Sequence, residues 1–265
     1  MKSISNSPEP DYTMSFQFDV IIGNPPYQNS SGDKKTGLPG SSKNLYSSFI
    51  ELSVDLLKPG GSLMFVCPPG YLKTTSINRT TPIFRLFQHY NLTYLNFDCK
   101  KHFPEVSLSS ITSFILKKDS NYNNTRVITE DSDEYVNLSG RNYIPLNCTN
   151  ELLTRVDSLI SKQKTLLFKR DDSFSIVNEC IRDNTNFVVV SQISASNLEV
   201  KVNDIILNKK GKRKPVHVMK CESKEHAERI GAILKSDNTT FVNSTIRYGD
   251  ANVYPGIINH LSDAI

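Results

Sequence analysis

No run of the sequence approaches the roughly 18 apolar residues that a membrane-spanning helix needs. The opening stretch MKSISNSPEPDYTM is polar and carries no hydrophobic segment, so it does not read as a secretory leader. Without a leader, the Asn-x-Ser/Thr triplets at Asn78 and Asn91 mean only asparagine-rich composition. Cysteine is sparse and scattered. Cys67, Cys99, Cys148, Cys180 and Cys221 form no Cys-x-x-Cys pair, which argues against a disulfide framework and against a zinc site. The five histidines are dispersed without metal-ligand spacing. The thiols read as free, in a reducing cytoplasm, and no metal is expected. A strong charge of one sign is also lacking. The net charge of +4 permits a nucleic-acid partner without requiring one.

What is present is an alternation of short elements. Phe16 to Ile22 (FQFDVII) reads as a buried strand stopped by Gly23. Residues 28–43 are rich in Gly, Ser and Lys and read as a loop. Leu45, Phe49, Leu52 and Leu56 recur at helical spacing, and Lys58-Pro59-Gly60-Gly61 reads as the turn that ends that helix. A strand over 62–67, a helix over 81–90 and strands over 92–97 and 110–116 follow. The last two have no helix between them, which predicts an antiparallel edge pair. Strands and helices in this order indicate an α/β sheet with crossovers. After Lys117 the chain becomes polar and asparagine-rich. A helix is expected over 149–162, strands over 187–190 and 198–202, and a helix over 224–235. The expected organisation is a polar leader (1–15), a first domain (16–118) and a second (119–265).

One segment carries chemistry. Asn24-Pro25-Pro26-Tyr27 follows the first strand, and open α/β sheets bind ligands outside the C-terminal ends of their strands. The residue types suit an exocyclic aromatic amine, a poor nucleophile because its lone pair is delocalised into the ring. The Asn24 amide oxygen and the Pro25 carbonyl can both accept its N–H bonds and favour a pyramidal nitrogen. Two prolines fix that carbonyl without spending a donor. Tyr27 offers a flat face for a base swung out of its stack. Such a site works through position and polarity, with no covalent intermediate. The bland alternative is a rigid turn that closes a strand.

FDVIIGNPPY resembles motif IV of the gamma-type adenine-N6 DNA methyltransferases. Asn44 to Leu72 is similar to the stretch that follows it in the TaqI-like branch, and His102 to Lys118 to motif VIII. The resemblance spans about residues 16–118. It implies a partial Rossmann-like methyltransferase sheet followed by a mixed α+β target-recognition region. It also implies that Asn24, Pro25, Pro26 and Tyr27 are catalytic, and that Tyr27 and Phe103 hold the flipped adenine. Phe103 has an alternative in ordinary core packing. The donor implied is S-adenosyl-L-methionine and the substrate is double-stranded DNA, as in restriction-modification systems. Motifs of the NPPY type also serve enzymes that methylate RNA or protein amides; the TaqI-like flanks and the long second region favour DNA adenine.

In the gamma order a glycine-rich donor-binding turn precedes NPPY. Only 23 residues do so here, with Gly23 their sole glycine. The downstream candidates Gly211, Gly231 and Gly249 lie in a basic run, a helical pattern and an isolated RYGDAN context. The expectation is therefore a truncated or split enzyme, with a separate polypeptide carrying the donor-binding motif. The alternative is an inactive DNA-binding or interaction remnant. Lys209, Lys210, Lys212, Arg213 and Lys214 are candidates for DNA phosphates, against a solvated basic hairpin turn. Lys34 and Lys35, in the loop after Tyr27, are candidates too, against a plain insertion. Glu130 to Glu134 reads as a solvated acidic loop. Asp183 with Glu199-Val200-Lys201 loosely mimics a nuclease pattern, of the kind that arises readily by chance.

Overall fold

The computed structural model describes residues 16–27, 45–72, 80–105, 110–192, 198–208, 210–212, 214, 216–246 and 255–262. The chain begins with strand β1 (Phe18–Gly23), helix α1 (Leu45–Leu56) and strand β2 (Leu57–Cys67). β1 and β2 are parallel, joined by a crossover that contains α1. Helix α2 (Pro82–His89) starts at an N-cap, where the Thr81 hydroxyl accepts from the Phe84 N–H and Pro82 opens the helix. Strands β3 (Asn91–Asn96), β4 (Thr112–Lys117), β5 (Thr125–Ile128) and β6 (Asp133–Val136) complete a mixed sheet of order β1-β2-β4-β3-β5-β6.

Three expectations need correction here. β3 and β4 are antiparallel neighbours, but they lie inside the sheet, because β2 flanks one and β5 the other. The sheet also does not stop at residue 118. The polar stretch beyond it forms the β5–β6 hairpin, and the acidic run is its turn and second strand, with Asp133 accepting two bonds from Arg126. Finally, Lys58 to Gly61 belongs to β2. Register jumps from Phe18↔Leu57 to Val20↔Ser62, so these residues bulge out of the ladder. Gly60 takes φ +78°, and its N–H donates to Lys118 O at 2.8 Å, while Lys118 Nζ donates to the α1-terminal carbonyls of Val54 and Leu57.

The helical face of α1 differs as well. The buried residues are Tyr46, Ile50, Ser53 and Val54, whereas Phe49 and Leu52 of the expected stripe are exposed. α1 carries apolar residues on two stripes, and the one bearing Tyr46 and Ile50 reaches the core. Both α1 and α2 cover the same sheet face. On it lie Leu63, Phe65, Cys67, Thr112, Phe114, Leu116, Leu95 and Val127, all buried. Alternation puts Phe18, Val20, Ile22, Ser62, Met64, Val66, Ile115, Tyr94, Arg126 and Tyr135 on the other face. Every one of these is half-buried or exposed.

The rest of the chain holds α3 (Asn150–Leu159), β7 (Lys169–Asp171), α4 (Ser175–Arg182), β8 (Phe187–Gln192), β9 (Leu198–Val202), β10 (Val216–Lys220), α5 (Lys224–Lys235), α6 (Asp237–Ile246) and α7 (Pro255–Ile258). The four strands form a second, antiparallel sheet of order β7-β10-β8-β9. It is covered on both faces. Val189, Val216 and Val218 pack with Val177 and Cys180 of α4, while Val188, Val190 and Val200 share the main core with Ala227 and Ile230 of α5. That core continues into the first sheet, so the chain is a mixed α/β fold with two sheets on one shared core. No helix of the described residues is long and apolar enough to cross a membrane.

Gly231 lies where α5 meets β9, and a Cβ there would stand 2.6 Å from Val202 Cγ2. Gly231→Ala gains about 1 kcal/mol of helix propensity but incurs about 1–3 kcal/mol of overpacking against a stiff β-branched neighbour. Urea unfolding should therefore show a net loss of about 1 kcal/mol. A gain would mean that α5 does not press on β9 as described.

Candidate functional site

The strands of the first sheet bring the following ends to the side where β1 finishes. β1, β2, β3 and β5 finish there and β4 and β6 start there, so all six strands bring an end to it, as the pairs Gly23↔Phe65, Cys67↔Thr112, Asn96↔Ser113, Asn96↔Ile128 and Ile128↔Asp133 require. Asn24 to Tyr27 leaves β1 at this edge. Pro25 is buried, Asn24 and Pro26 are exposed, and Tyr27 is half-buried against the core. The Asn24 side chain acts on the Tyr27 phenol in the opposite sense to burial, lowering its pKa. Burial, with Cys67 and Cys99 close by, pushes the Tyr27 phenol above its ordinary range, so it keeps its proton at neutral pH.

The floor beneath is rigid. Cys67 is buried, and burial holds its thiol far above the ordinary range. Thr112 Oγ1 lies 2.9 Å from Cys67 O, to which it donates, and 2.9 Å from the Tyr71 hydroxyl. Tyr71 comes from a single 3-10 turn, Pro69–Leu72, directly after β2. It is fully buried, stacked on Phe87 at 5.1 Å and tilted against Phe114 at 4.7 Å. Cys99 donates weakly to Ser113 Oγ at 3.3 Å, and burial raises its thiol too.

Phe103 sits four residues beyond Cys99, at the end of the 3-10 turn Lys100–His102. It is half-buried and belongs to neither core cluster, unlike a core-packing phenylalanine. Lys100 Nζ donates to the carbonyls of Phe103, at 3.0 Å, and Pro104, at 3.4 Å, and so braces this turn. Sequence patterning gave no sign of that brace. Lys101 pairs with Asp98, whose N–H donates to Asn96 Oδ1 at 2.7 Å. Alongside opens a cleft of about 830 Å3 lined by Asp98, Lys100, Ser110, Glu130, Glu134 and Glu151 among others.

The basic run lies elsewhere, between β9 and β10. Lys210 and Lys212 are exposed on a turn closed by Asn208, whose Oδ1 accepts from both their backbone N–H groups and where Gly211 takes φ +71°. Lys214 is engaged, 3.1 Å from Glu199. Lys34, Lys35, Lys209 and Arg213 lie outside the described residues. The nuclease-like pattern is dispersed into separate ion pairs, Asp183 with Arg182 and Glu199 with Lys214. Among the described residues no three His, Cys, Asp or Glu side chains could jointly hold a metal ion.

The described residues do not fit a methyl donor by themselves. None of them forms a glycine-rich turn followed by a ribose-holding acid at a strand end, and among them no strand lies beyond β1.

Comparison with known proteins places residues 5–103 on the family model described as Eco57I restriction-modification methylase. Over that stretch the chain is similar to restriction-modification methylases of this family. No curated protein matches. Among solved structures, a protein described as a modification subunit of a type I restriction enzyme from Vibrio vulnificus YJ016 is 13% identical, with a TM-score of 0.28. The match covers 76% of this chain and 37% of that one, so the chain spans just over a third of that subunit's length.

Thr112 is the hub of the floor. Thr112→Val keeps the shape but strands the buried Tyr71 hydroxyl and strips Cys67 O of a donor, a loss of about 2–3 kcal/mol. Tyr71→Phe leaves Thr112 bonded to Cys67 O and should cost about 1 kcal/mol or less. Equal losses in denaturant titrations would refute this hierarchy.

Proposed function

We propose that the chain is the base-binding half of a site-specific adenine-N6 DNA methyltransferase of the restriction-modification type. The observation that carries this is Asn24-Pro25-Pro26-Tyr27 at the C-terminal end of β1, with Pro25 buried, Tyr27 half-buried against the core and the match over residues 5–103 around them. In this reading a flipped adenine stacks on Tyr27, with Phe103 closing the far side. Its 6-amino N–H groups donate to the Asn24 amide oxygen and the Pro25 carbonyl. Those two acceptors draw the nitrogen towards a pyramidal geometry and free its lone pair. The buried Pro25 ring and the floor below it hold the acceptors still, which supplies orientation without a moving part. Tyr27 stays protonated and serves as a stacking face with no acid–base role.

The donor, S-adenosyl-L-methionine, is brought by a separate polypeptide, because these residues do not cradle it. Lys210 and Lys212 touch backbone phosphates of duplex DNA. The uncovered sheet face also favours a second reading, in which the chain is an inactive remnant that binds DNA or a partner.

Methyl transfer separates the two. Labelled S-adenosylmethionine, unmethylated DNA, this chain and a donor-binding polypeptide should together yield N6-methyladenine. Asn24→Ala should lower that yield by about 100-fold or more while DNA affinity holds. Label on RNA, protein or another base would reject the substrate class, and an indifferent Asn24→Ala would reject the site. The lysines have their own readout. Lys210→Ala with Lys212→Ala should weaken binding to all duplex sequences alike and reduce the salt slope by about 2. Loss of sequence preference alone would contradict a phosphate role.

A further inference from the structure

We propose that Lys100 is a positioning residue of the site, whose ammonium fixes the turn that carries Phe103 and so sets that ring against the flipped adenine; this rests on the methyltransferase reading. Packing does not fix Phe103. It is half-buried and lies outside both core clusters, and the turn Lys100–His102 that leads to it buries none of its own residues. A single 3-10 turn has poor hydrogen-bond geometry and too few residues to be stable by itself. Polar contacts must hold it.

The front of the turn is tied to the sheet. Asn96 Oδ1 accepts from the Asp98 N–H at 2.7 Å, and Cys99 Sγ donates to Ser113 Oγ at 3.3 Å. The N–H groups of His102 and Phe103 then donate to Cys99 O and Lys100 O, at 3.0 Å each. The rear has no such tie. Among the described residues no backbone N–H donates to the carbonyls of Phe103 or Pro104. Lys100 Nζ reaches both, at 3.0 and 3.4 Å. An ammonium on a flexible stem has three donors, so one side chain can fold back over its own turn and satisfy two acceptors. Bonds from a charged donor are the stronger kind. The brace therefore runs from Lys100 through the backbone to the residue whose ring is used.

Two other uses of this cation have distinct signatures. Lys100 lines the cleft of about 830 Å3 together with Asp98, Glu130, Glu134 and Glu151, where it would act as a counter-charge. Lys101 is the control for that role. It carries the same charge on the same turn, but it is exposed and paired with Asp98, a kind of pair that contributes little. The other use is a DNA phosphate contact, whose loss lowers the salt slope of binding by about 1. The geometry favours the turn, since Nζ spends two of its three donors on backbone carbonyls.

The test reads amide exchange of the chain alone and methyl transfer from labelled S-adenosylmethionine to DNA in the presence of a donor-binding polypeptide. Lys100→Met keeps the reach of the side chain and removes the ammonium. It should speed exchange at His102 and Phe103 by about ten-fold or more. It should also lower kcat by about ten-fold, through misplacement of the base, with KM for DNA and the salt slope unchanged. Lys100→Arg, which keeps the donors, should recover most of both losses, and Lys101→Met should stay within about two-fold of the unaltered chain. In a Phe103→Ala background Lys100→Met should cost nothing further, because the brace acts through that ring. Equal losses in the two backgrounds, unchanged exchange, or a salt slope reduced by about 1 overturns the positioning role and leaves the methyltransferase reading standing. Absence of transfer by the unaltered chain in every mixture removes that reading, and the positioning role with it.

Discussion

Parallel strands joined by a helical crossover are stable when both faces of the sheet are covered, and β1 and β2 have cover on one. Much of the first half of the molecule follows from that constraint. The covered face holds an aromatic cluster of Phe65, Tyr71, Phe87 and Phe114, sealed by α1 and α2. On the uncovered face the side chains of β1 are exposed and apolar, those at its middle are half-buried, and Arg126 and Tyr135 towards β6 are exposed. Lys118 ties the end of α1 to the β2 bulge and thereby fixes the crossover that aims β1.

The candidate site inherits its geometry from this arrangement. Asn24 lies at the outermost strand end, where one side is firm and the other is open. The firm side is a short relay of buried hydroxyls, Tyr71 to Thr112 to the Cys67 carbonyl, none of them charged. An uncharged, braced pair of acceptors is suited to coaxing a lone pair out of an aromatic amine, whereas a mobile or ionised group would pull its proton instead.

Much of this was legible in the sequence. FDVIIG marked a strand, although Phe18, Val20 and Ile22 are exposed where a buried strand was expected, and the helices expected over 81–90 and 224–235 start at the Thr81 and Ser223 caps. The failures have physical causes. Lys58 to Gly61 carries turn residues, yet cross-strand bonds from Lys118 draw it into β2 as a bulge. The β5–β6 hairpin has four residues per strand, is polar on one side and is held to the sheet largely by its backbone ladder to β3, so its strand period was too brief to notice. α1 has two apolar stripes, and periodicity cannot tell which one meets a core. Of the candidate site, the residue types of Asn24 to Tyr27 singled out the turn after β1. The Lys100 brace on Phe103 and the Lys214–Glu199 pair were not legible, because they depend on contacts between loops and strands that pattern does not encode.

The central claim is that these residues present the base and that a separate polypeptide brings the donor. Calorimetric titration of S-adenosylmethionine into the purified chain alone tests it most directly. The account predicts no saturable heat up to about millimolar donor, a free energy weaker than about −4 kcal/mol. A micromolar dissociation constant would contradict it, since a complete donor site would then exist within the chain.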